Sequence, residues 1–399
     1  MSNSRTLLVL AICMAVSPVG LLILTPALPA IRETFAASLS ETQAVLSAYS
    51  ITLAVGMLLC GPLADRYDKK MLLIVGTGIM AIGSLLAYIA SSIEILILAR
   101  SIQGFGAATA SIIPRAIVAE IYKDDDLNRA MSIMIMFVVI GPMIAPIAGG
   151  YMVDAMSWRE IMLLLLLCAG LSGLTAVAFV QKSKTQDEKS TSIADSIRDQ
   201  IGLFGNRDFM LNMTVLCAMQ IAVYVFLAAS PFLVIEMLGF SAAQYGYVFV
   251  YLTLGYLIGN FVSGLVVKKI GGVRLVFFAT VIFVAGLAIL AILSAIGPPS
   301  LGAIVGPAIL LTIANGITQP NCAAGAMSSV EGRKGAAASL SGFGQIMAAA
   351  IGVQLSGFLG VASLGAMLIT VLACGLVALV TSMFLVAQQK TPSPASDSV

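Results

Sequence analysis

Histidine is missing altogether from the 399 residues, and charged residues make up only 10% of them. Without histidine, and with six cysteines (Cys13, Cys60, Cys168, Cys217, Cys322, Cys374) scattered singly through apolar stretches, the usual zinc ligand sets have no material. The cysteines read as small packing residues rather than disulfide partners. No Gly-x-x-x-x-Gly-Lys-Ser/Thr segment occurs, so ATP is not expected as a direct energy source. A nucleophile–base pair within the apolar stretches is equally absent, which argues against an enzyme. The net charge of +2 identifies no partner and gives no sign of nucleic-acid binding.

What the chain does have is apolar length. Hydrophobic residues make up 59% of it, and the mean hydropathy of +1.04 lies outside the range of soluble domains. A membrane span needs about 20 mostly apolar residues. Twelve such runs are expected, over about 5–30, 41–64, 71–91, 94–121, 128–154, 159–181, 208–236, 241–267, 273–296, 300–327, 334–359 and 362–386. The first resembles a signal peptide behind Arg5, but Thr25-Pro26-Ala27-Leu28-Pro29 is a poor cleavage context, so it is read as a retained helix. The longest polar interval divides the runs six and six. This gives an amino-terminal half (1–181), a linker (182–207), a carboxy-terminal half (208–386) and a disordered tail (387–399). Within the linker, Ile193, Ile197, Ile201 and Phe204 have the spacing of a helix lying on the membrane surface.

The cations set the orientation. Arg5, Arg66, Lys69, Lys70, Lys123, Arg129, Lys268, Lys269, Arg274, Arg333, Lys334 and Lys390 fall on one side, and only Arg32 and Arg159 on the other. By the positive-inside rule both termini are cytoplasmic. A shift of 203 residues aligns Gly61–Arg66 with Gly264–Lys269, each after the second run of its half, although the second copy has no acid. Two parallel six-helix repeats fit this.

Three segments carry the functional signal. Between the second and third runs, Asp65, Arg66, Asp68, Lys69 and Lys70 crowd into six residues behind Gly61; charge this dense marks an aqueous turn. In the fourth run, Arg100-Ser101-Ile102-Gln103-Gly104-Phe105-Gly106 places a cation roughly 9 Å inside the outer edge at 1.5 Å per residue. An ionisable residue at such depth is functional by default, with two alternatives: a hydrogen-bonded brace to first-run carbonyls, or snorkelling to the interface. In the fifth run, Gly141, Pro142, Pro146, Gly149 and Gly150 combine bends with close helix approach.

These segments resemble, in order, the loop 2–3, helix 4 and helix 5 motifs of the major facilitator superfamily. With Pro26–Ile31 and Arg115–Tyr122, residues 20–165 are similar to the bicyclomycin-resistance (Bcr/CflA-like) branch of its drug:proton antiporters. In the second half, Asn315–Gly325 and Gly335–Gly352 fit only in style. The resemblance implies an all-α membrane fold of twelve helices. It also implies a cytoplasmic latch in which Asp65 meets a helix end of the opposite half, with Gly61, Arg66, Lys69, Lys70 and Glu120 around it. Arg100, Gln103 and Gly104 would serve coupling or substrate, and the fifth run would be an antiporter-type contact. Asp68 stands where the family usually has glycine and Lys69 where it has arginine, so bidentate pairing there is lost. Arg115, about 22 Å below Arg100, is read as interfacial.

Many relatives carry an acid four residues before Pro26; here that residue is Leu22. No carboxylate lies deep in any run. Glu33 and Glu41 fall in the first outer loop, leaving Asp154 and Glu236, near outer helix ends, as proton-carrier candidates. A cavity holding Arg100 without a counter-acid suits neutral or anionic solutes better than lipophilic dications. Helical spacing offers Gln220 with Tyr224, Tyr247 with Tyr251 and Asn315 with Gln319 as cavity walls, joined by Tyr49 and Gln345; helix–helix hydrogen bonding is the alternative for each. The expectation is a monomeric, multi-pass transporter in a bacterial inner membrane. It would need no cofactor beyond the proton gradient and would export a drug-like small molecule by alternating access. The alternatives are export of an anionic or neutral metabolite such as a carboxylate siderophore, and a transporter-like sensor.

Overall fold

The computed structural model describes residues 2–181, 198, 200–296, 300–330, 334–359 and 364–390. The described residues are helical, and twelve helices among them are long and apolar enough to cross a membrane. We label these α1 (Ser2–Leu22, resuming at Leu28–Phe35), α2 (Leu39–Arg66), α3 (Lys69–Tyr88), α4 (Ile93–Ile121), α5 (Asp124–Ala155) and α6 (Trp158–Phe179). The second six are α7 (Arg207–Pro231), α8 (Ala242–Ile270), α9 (Gly272–Ile296), α10 (Leu301–Ser328), α11 (Lys334–Leu359) and α12 (Leu364–Lys390).

The twelve expected runs match these helices, with local corrections. α1 does not end near residue 30. It breaks into a 3₁₀ turn at Thr25–Ala27 and continues to Phe35, because Pro26 and Pro29 cannot donate to the helical ladder. Glu33 therefore sits in a helix, as does Glu41 in the first turn of α2, not in a loop. α12 extends to Lys390, into the stretch expected to be a disordered tail. Of the expected surface segment, Ile193 and Ile197 lie outside the described residues. Ile201 and Phe204 are exposed, and Leu203–Gly205 forms a 3₁₀ turn.

Helix starts follow their sequences. At α2, Ser38 and Glu41 form a reciprocal capping box: Ser38 N donates to Glu41 Oε2 at 2.8 Å and Glu41 N to Ser38 Oγ at 3.2 Å. At α8, 203 residues on, Ser241 and Gln244 repeat it at 2.8 and 3.3 Å. Each box follows a left-handed residue, Ala36 (φ 48°) and Gly239 (φ 73°), again 203 apart. The duplication first read from Gly61 and Gly264 thus extends to the turns that aim α2 and α8.

The chain gathers into two compact units. One holds Met1–Ser196, Tyr224–Val250 and Ala349–Ser363; the other holds Ile197–Val223, Tyr251–Ala348 and Leu364–Val399. We call the end where odd-numbered helices finish and even-numbered ones begin the distal end. In the first unit, a buried cluster at the distal end joins Leu24, Leu28, Ile31, Trp158 and Ile161 to Phe232 of the π-wound turn after α7 and Val353 of α11. A second cluster near the opposite end packs Leu10, Met14, Leu73, Ile113 and Met134. Glycines bring the helices close: a Cβ on Gly56 of α2 would lie 2.6 Å from the Ala108 Cβ of α4. In the second unit Gly259 of α8 leaves no room for a Cβ against the Ile313 carbonyl of α10.

Candidate functional site

Arg100 is fully buried, 0% exposed, in the first unit. Its Nε donates to the Val45 carbonyl of α2 at 3.2 Å, and one Nη donates to the Gly20 carbonyl of α1 at 3.0 Å. The other Nη donates to Gln103 Oε1, one turn along α4. The guanidinium carbon lies 4.2 Å from the centre of the Tyr49 ring, within cation–π range. Tyr49 in turn donates to the Ser17 carbonyl at 2.8 Å, and Gln103 Nε2 to Ser84 Oγ of α3 at 2.7 Å. Gly104 lies so near the Tyr49 carbonyl that a Cβ has no room. The structure therefore brings Arg100, Gln103, Gly104 and Tyr49 into one network that ties α1, α2, α3 and α4 together. This is the geometry of a brace, reaching α2 as well as the first helix.

At the opposite end from the distal one, Lys69 Nζ pairs with Glu120 Oε1 of α4 at 2.6 Å. Lys70 Nζ donates to the Val177 carbonyl in the last turn of α6 at 2.7 Å, where helix carbonyls lack ladder partners. Asp68 caps α3 by accepting from Lys70 N at 2.9 Å. Gly61 faces open space and Arg66 is exposed. The Asp65 side chain lies outside the described residues.

The α5 segment is packed on two sides. Gly149 faces the carbonyl carbon of Ile23, just past the first segment of α1, where a Cβ would lie 3.0 Å away. Gly141 faces Val19, at 2.9 Å from a built Cβ. Gly150 meets α8, a Cβ there falling 2.7 Å from the Ala242 carbonyl carbon, and Gly246 of α8 returns the contact at 2.7 Å from Ile147 Cα. Pro142 and Pro146 lie within the helix. One turn beyond Gly150, the Asp154 carboxylate accepts from Ala242 N at 3.1 Å and Ala243 N at 3.0 Å, capping α8. The hydroxyls of Tyr151 and Tyr247 are 2.7 Å apart across the same pair of helices. Asp154 also lines a distal vestibule of about 640 Å³ with Arg32, Glu33 and Glu236. Arg32 pairs there with Glu236 at 3.3 Å.

A second distal seam joins α2 to α11. Gln354 Nε2 donates to Ser40 Oγ at 3.0 Å and to the Ser40 carbonyl at 3.3 Å, while Ser47 Oγ donates to Gln354 Oε1 at 2.7 Å. A Cβ on Gly357 would lie 2.9 Å from Ser40 Cα. Buried Gln43 of α2 donates to the Ala228 carbonyl of α7 at 2.7 Å. Sequence reasoning missed Gln43, Ser47 and Gln354. The 203-residue repeat of the capping boxes was the available signal, since it pairs the starts of α2 and α8.

The remaining cavity candidates separate. Tyr224 and Leu22 line a small apolar pocket of about 20 Å³ with Thr25 and Phe249. Tyr247 and Tyr251 are exposed, at 47% and 57%. In the second unit Gln319 accepts from Tyr256, a residue not singled out by spacing. The Gln220 Oε1 and Asn315 Oδ1 atoms are buried with no partner among the described residues. Gln345 is half-buried.

The family model described as "Major Facilitator Superfamily" matches residues 10–352 and 220–398. The chain is 28% identical over 249 residues to Multidrug resistance protein D of Escherichia coli K12, covering 62% of each chain. The match thus spans about three fifths of that relative's length. It is 24% identical over 390 residues to a bicyclomycin resistance protein homolog of Haemophilus influenzae, covering 96% of each. Among solved structures, a POT family transporter in complex with 5-aminolevulinic acid superimposes with a TM-score of 0.76 at 14% identity. It covers 97% of this chain and 96% of that one. A bacterial homolog of the human lysosomal transporter Spinster gives 0.71 at 16% identity, covering 99% of each. With twelve helices among the described residues long and apolar enough to cross a membrane and a family match across most of its length, the chain belongs to the Major Facilitator Superfamily.

Proposed function

We propose that this transporter exports a small, drug-like organic molecule by alternating access, in antiport with protons. The observation that carries the reading is the α5 segment, where Gly149 and Gly150 abut α1 and α8 in turn. Prolines at 142 and 146 lie within the same helix. Such a contact excludes solvent at the distal end, yet the prolines leave the helix pliable enough to part. Relatives named for multidrug and bicyclomycin resistance support export. In this reading both termini face the cytoplasm, the protein is a monomer in a bacterial inner membrane, and the proton gradient is the energy source.

A second reading keeps the mechanism and changes the cargo to an anionic or neutral metabolite, such as a carboxylate siderophore. Two observations favour it. Among the described residues no carboxylate lies deep in a span, and Leu22 sits in an apolar pocket. Arg115 of α4 is exposed and donates to Met14 Sδ at 3.2 Å, with no carboxylate partner among the described residues. Bound anions would complete such a guanidinium.

Inside-out vesicles with an imposed pH gradient test both readings. Gradient-driven uptake of cationic drugs supports the first cargo, and uptake of carboxylate metabolites the second. Uptake indifferent to the gradient removes the antiport claim.

A further inference from the structure

The turn that joins α8 to α9 is the second copy of the turn that joins α2 to α3, and the two differ in how their cations are answered. In the first copy the chain supplies its own anions. Glu120 of α4 takes Lys69 at 2.6 Å, and Asp68 caps α3 through Lys70 N. Lys70 Nζ finds the Val177 carbonyl. A shift of 203 residues carries Asp65, Asp68 and Glu120 onto Lys268, Gly271 and Ala323. Every acid of the first copy is gone, while Lys268, Lys269 and Arg274 fall within seven residues.

These three cations are exposed, and none has an ion-pair or side-chain hydrogen-bond partner among the described residues. The only carboxylate among the described residues of the second unit is Asp208, at the start of α7, where the Gln388 amide engages it. The turn is nevertheless firmly built. Asn321 of α10 donates to Ser263 Oγ near the end of α8 at 2.7 Å, and its Oδ1 lies 3.1 Å from where a Cβ on Gly272 would stand. Gly271, with φ 87°, makes the tight reversal between the helices. Beside the cations the surface becomes apolar. Phe261 and Leu265 precede Lys268 and Lys269 on one face of α8, and Phe278 and Val281 follow Arg274 on one face of α9. All four of these apolar side chains are exposed.

We propose that this turn binds the headgroup of an anionic phospholipid from the adjoining leaflet, its acyl chains lying along the apolar rows of α8 and α9. Charge alone would suit any anion. An apolar row running from each cationic end into the membrane-spanning length of its helix suits an anion that carries its own hydrocarbon. The long stems of lysine and arginine reach from such positions to headgroup level. The membrane then supplies at the second turn what Glu120 and Asp68 supply at the first. This inference goes beyond the transport reading and holds for any cargo.

The test uses the full chain in detergent, titrated with dioleoylphosphatidylglycerol or dioleoylphosphatidylcholine, with bound lipid counted by native mass spectrometry. Each cation near an anionic surface is worth about a fivefold preference, so the parent should retain phosphatidylglycerol at least about tenfold better than phosphatidylcholine. Combining Lys268→Gln, Lys269→Gln and Arg274→Gln should erase most of that preference, and Arg274→Gln alone should lower it about fivefold. Lys268→Arg with Lys269→Arg should keep it. Arg66→Gln, which removes from the first copy the charge equivalent to Lys269, should leave it unchanged. Circular dichroism of each variant checks that the helices persist, and the single Arg274→Gln variant carries the test if the triple one unfolds. Equal retention of the two lipids by the parent, an equal loss in Arg66→Gln, or displacement of bound phosphatidylglycerol by inorganic phosphate overturns the proposal.

Discussion

At the scale of single residues, Arg100 shows how a buried cation is accommodated without a carboxylate. Its charge is spread over two backbone carbonyls, one amide oxygen and one aromatic face, each a partial compensation for lost hydration. Arg100→Ala leaves the Val45 and Gly20 carbonyls with empty space in place of a donor. It should cost at least about 3 kcal/mol, read as a lower midpoint of thermal unfolding in detergent. A purely substrate-binding arginine would leave that midpoint unchanged. The depth of Arg100 was legible from its position in the fourth run. Its partners were not, because carbonyls have no sequence signature and any residue at 20 or 45 provides one. Asp68 is the converse case. It reads as a departure from the family's motif, yet it caps α3, a role that any turn-to-helix junction makes available.

At the scale of helices, the seams depend on small residues rather than on charge. Gly150→Ala places a Cβ against the backbone of α8, 2.7 Å from the Ala242 carbonyl carbon, a contact that no rotamer relieves. Transport should fall by at least about tenfold while the protein still folds, since overpacking costs about 1–3 kcal/mol. Equal rates for variant and parent would dissociate this contact from transport. The ion pair of Lys69 and Glu120 should matter far less. It is partly exposed, and a double-mutant cycle with Lys69→Ala and Glu120→Ala should give a coupling below about 1 kcal/mol. Helix positions were readable from apolar length, with the break in α1 and the extended end of α12 as the main departures. The seam partners were hidden because they join residues 88 to 96 apart at the α5–α8 seam and 307 to 314 apart at the α2–α11 seam, and neither helix alone shows which neighbour its glycines face.

At the scale of the whole chain, connectivity and compactness divide the molecule differently. The six-plus-six reading follows the long polar linker, whereas the first compact unit also takes in Tyr224–Val250 and Ala349–Ser363. Those stretches contain the partners of both distal seams, which is why the amino-terminal half alone does not explain its own closure. The orientation expected from Lys and Arg asymmetry gives a direct test on intact cells. A cysteine at Tyr67, exposed at the end of α2, should resist a membrane-impermeant maleimide, and a cysteine at Met156 should react with it. The opposite pattern would invert the topology. Cargo was the least legible property, because buried amide oxygens such as Gln220 Oε1 and Asn315 Oδ1 announce a need for donors without naming the molecule that brings them.

The duplicated capping turns have a mechanical consequence. One copy is gripped through its backbone, by the Asp154 carboxylate on Ala242 N and Ala243 N, and the other through its side chains, by Gln354 on Ser40 Oγ and Ser47 Oγ. The α8 turn can therefore change its side chains without losing its grip, whereas the α2 turn cannot.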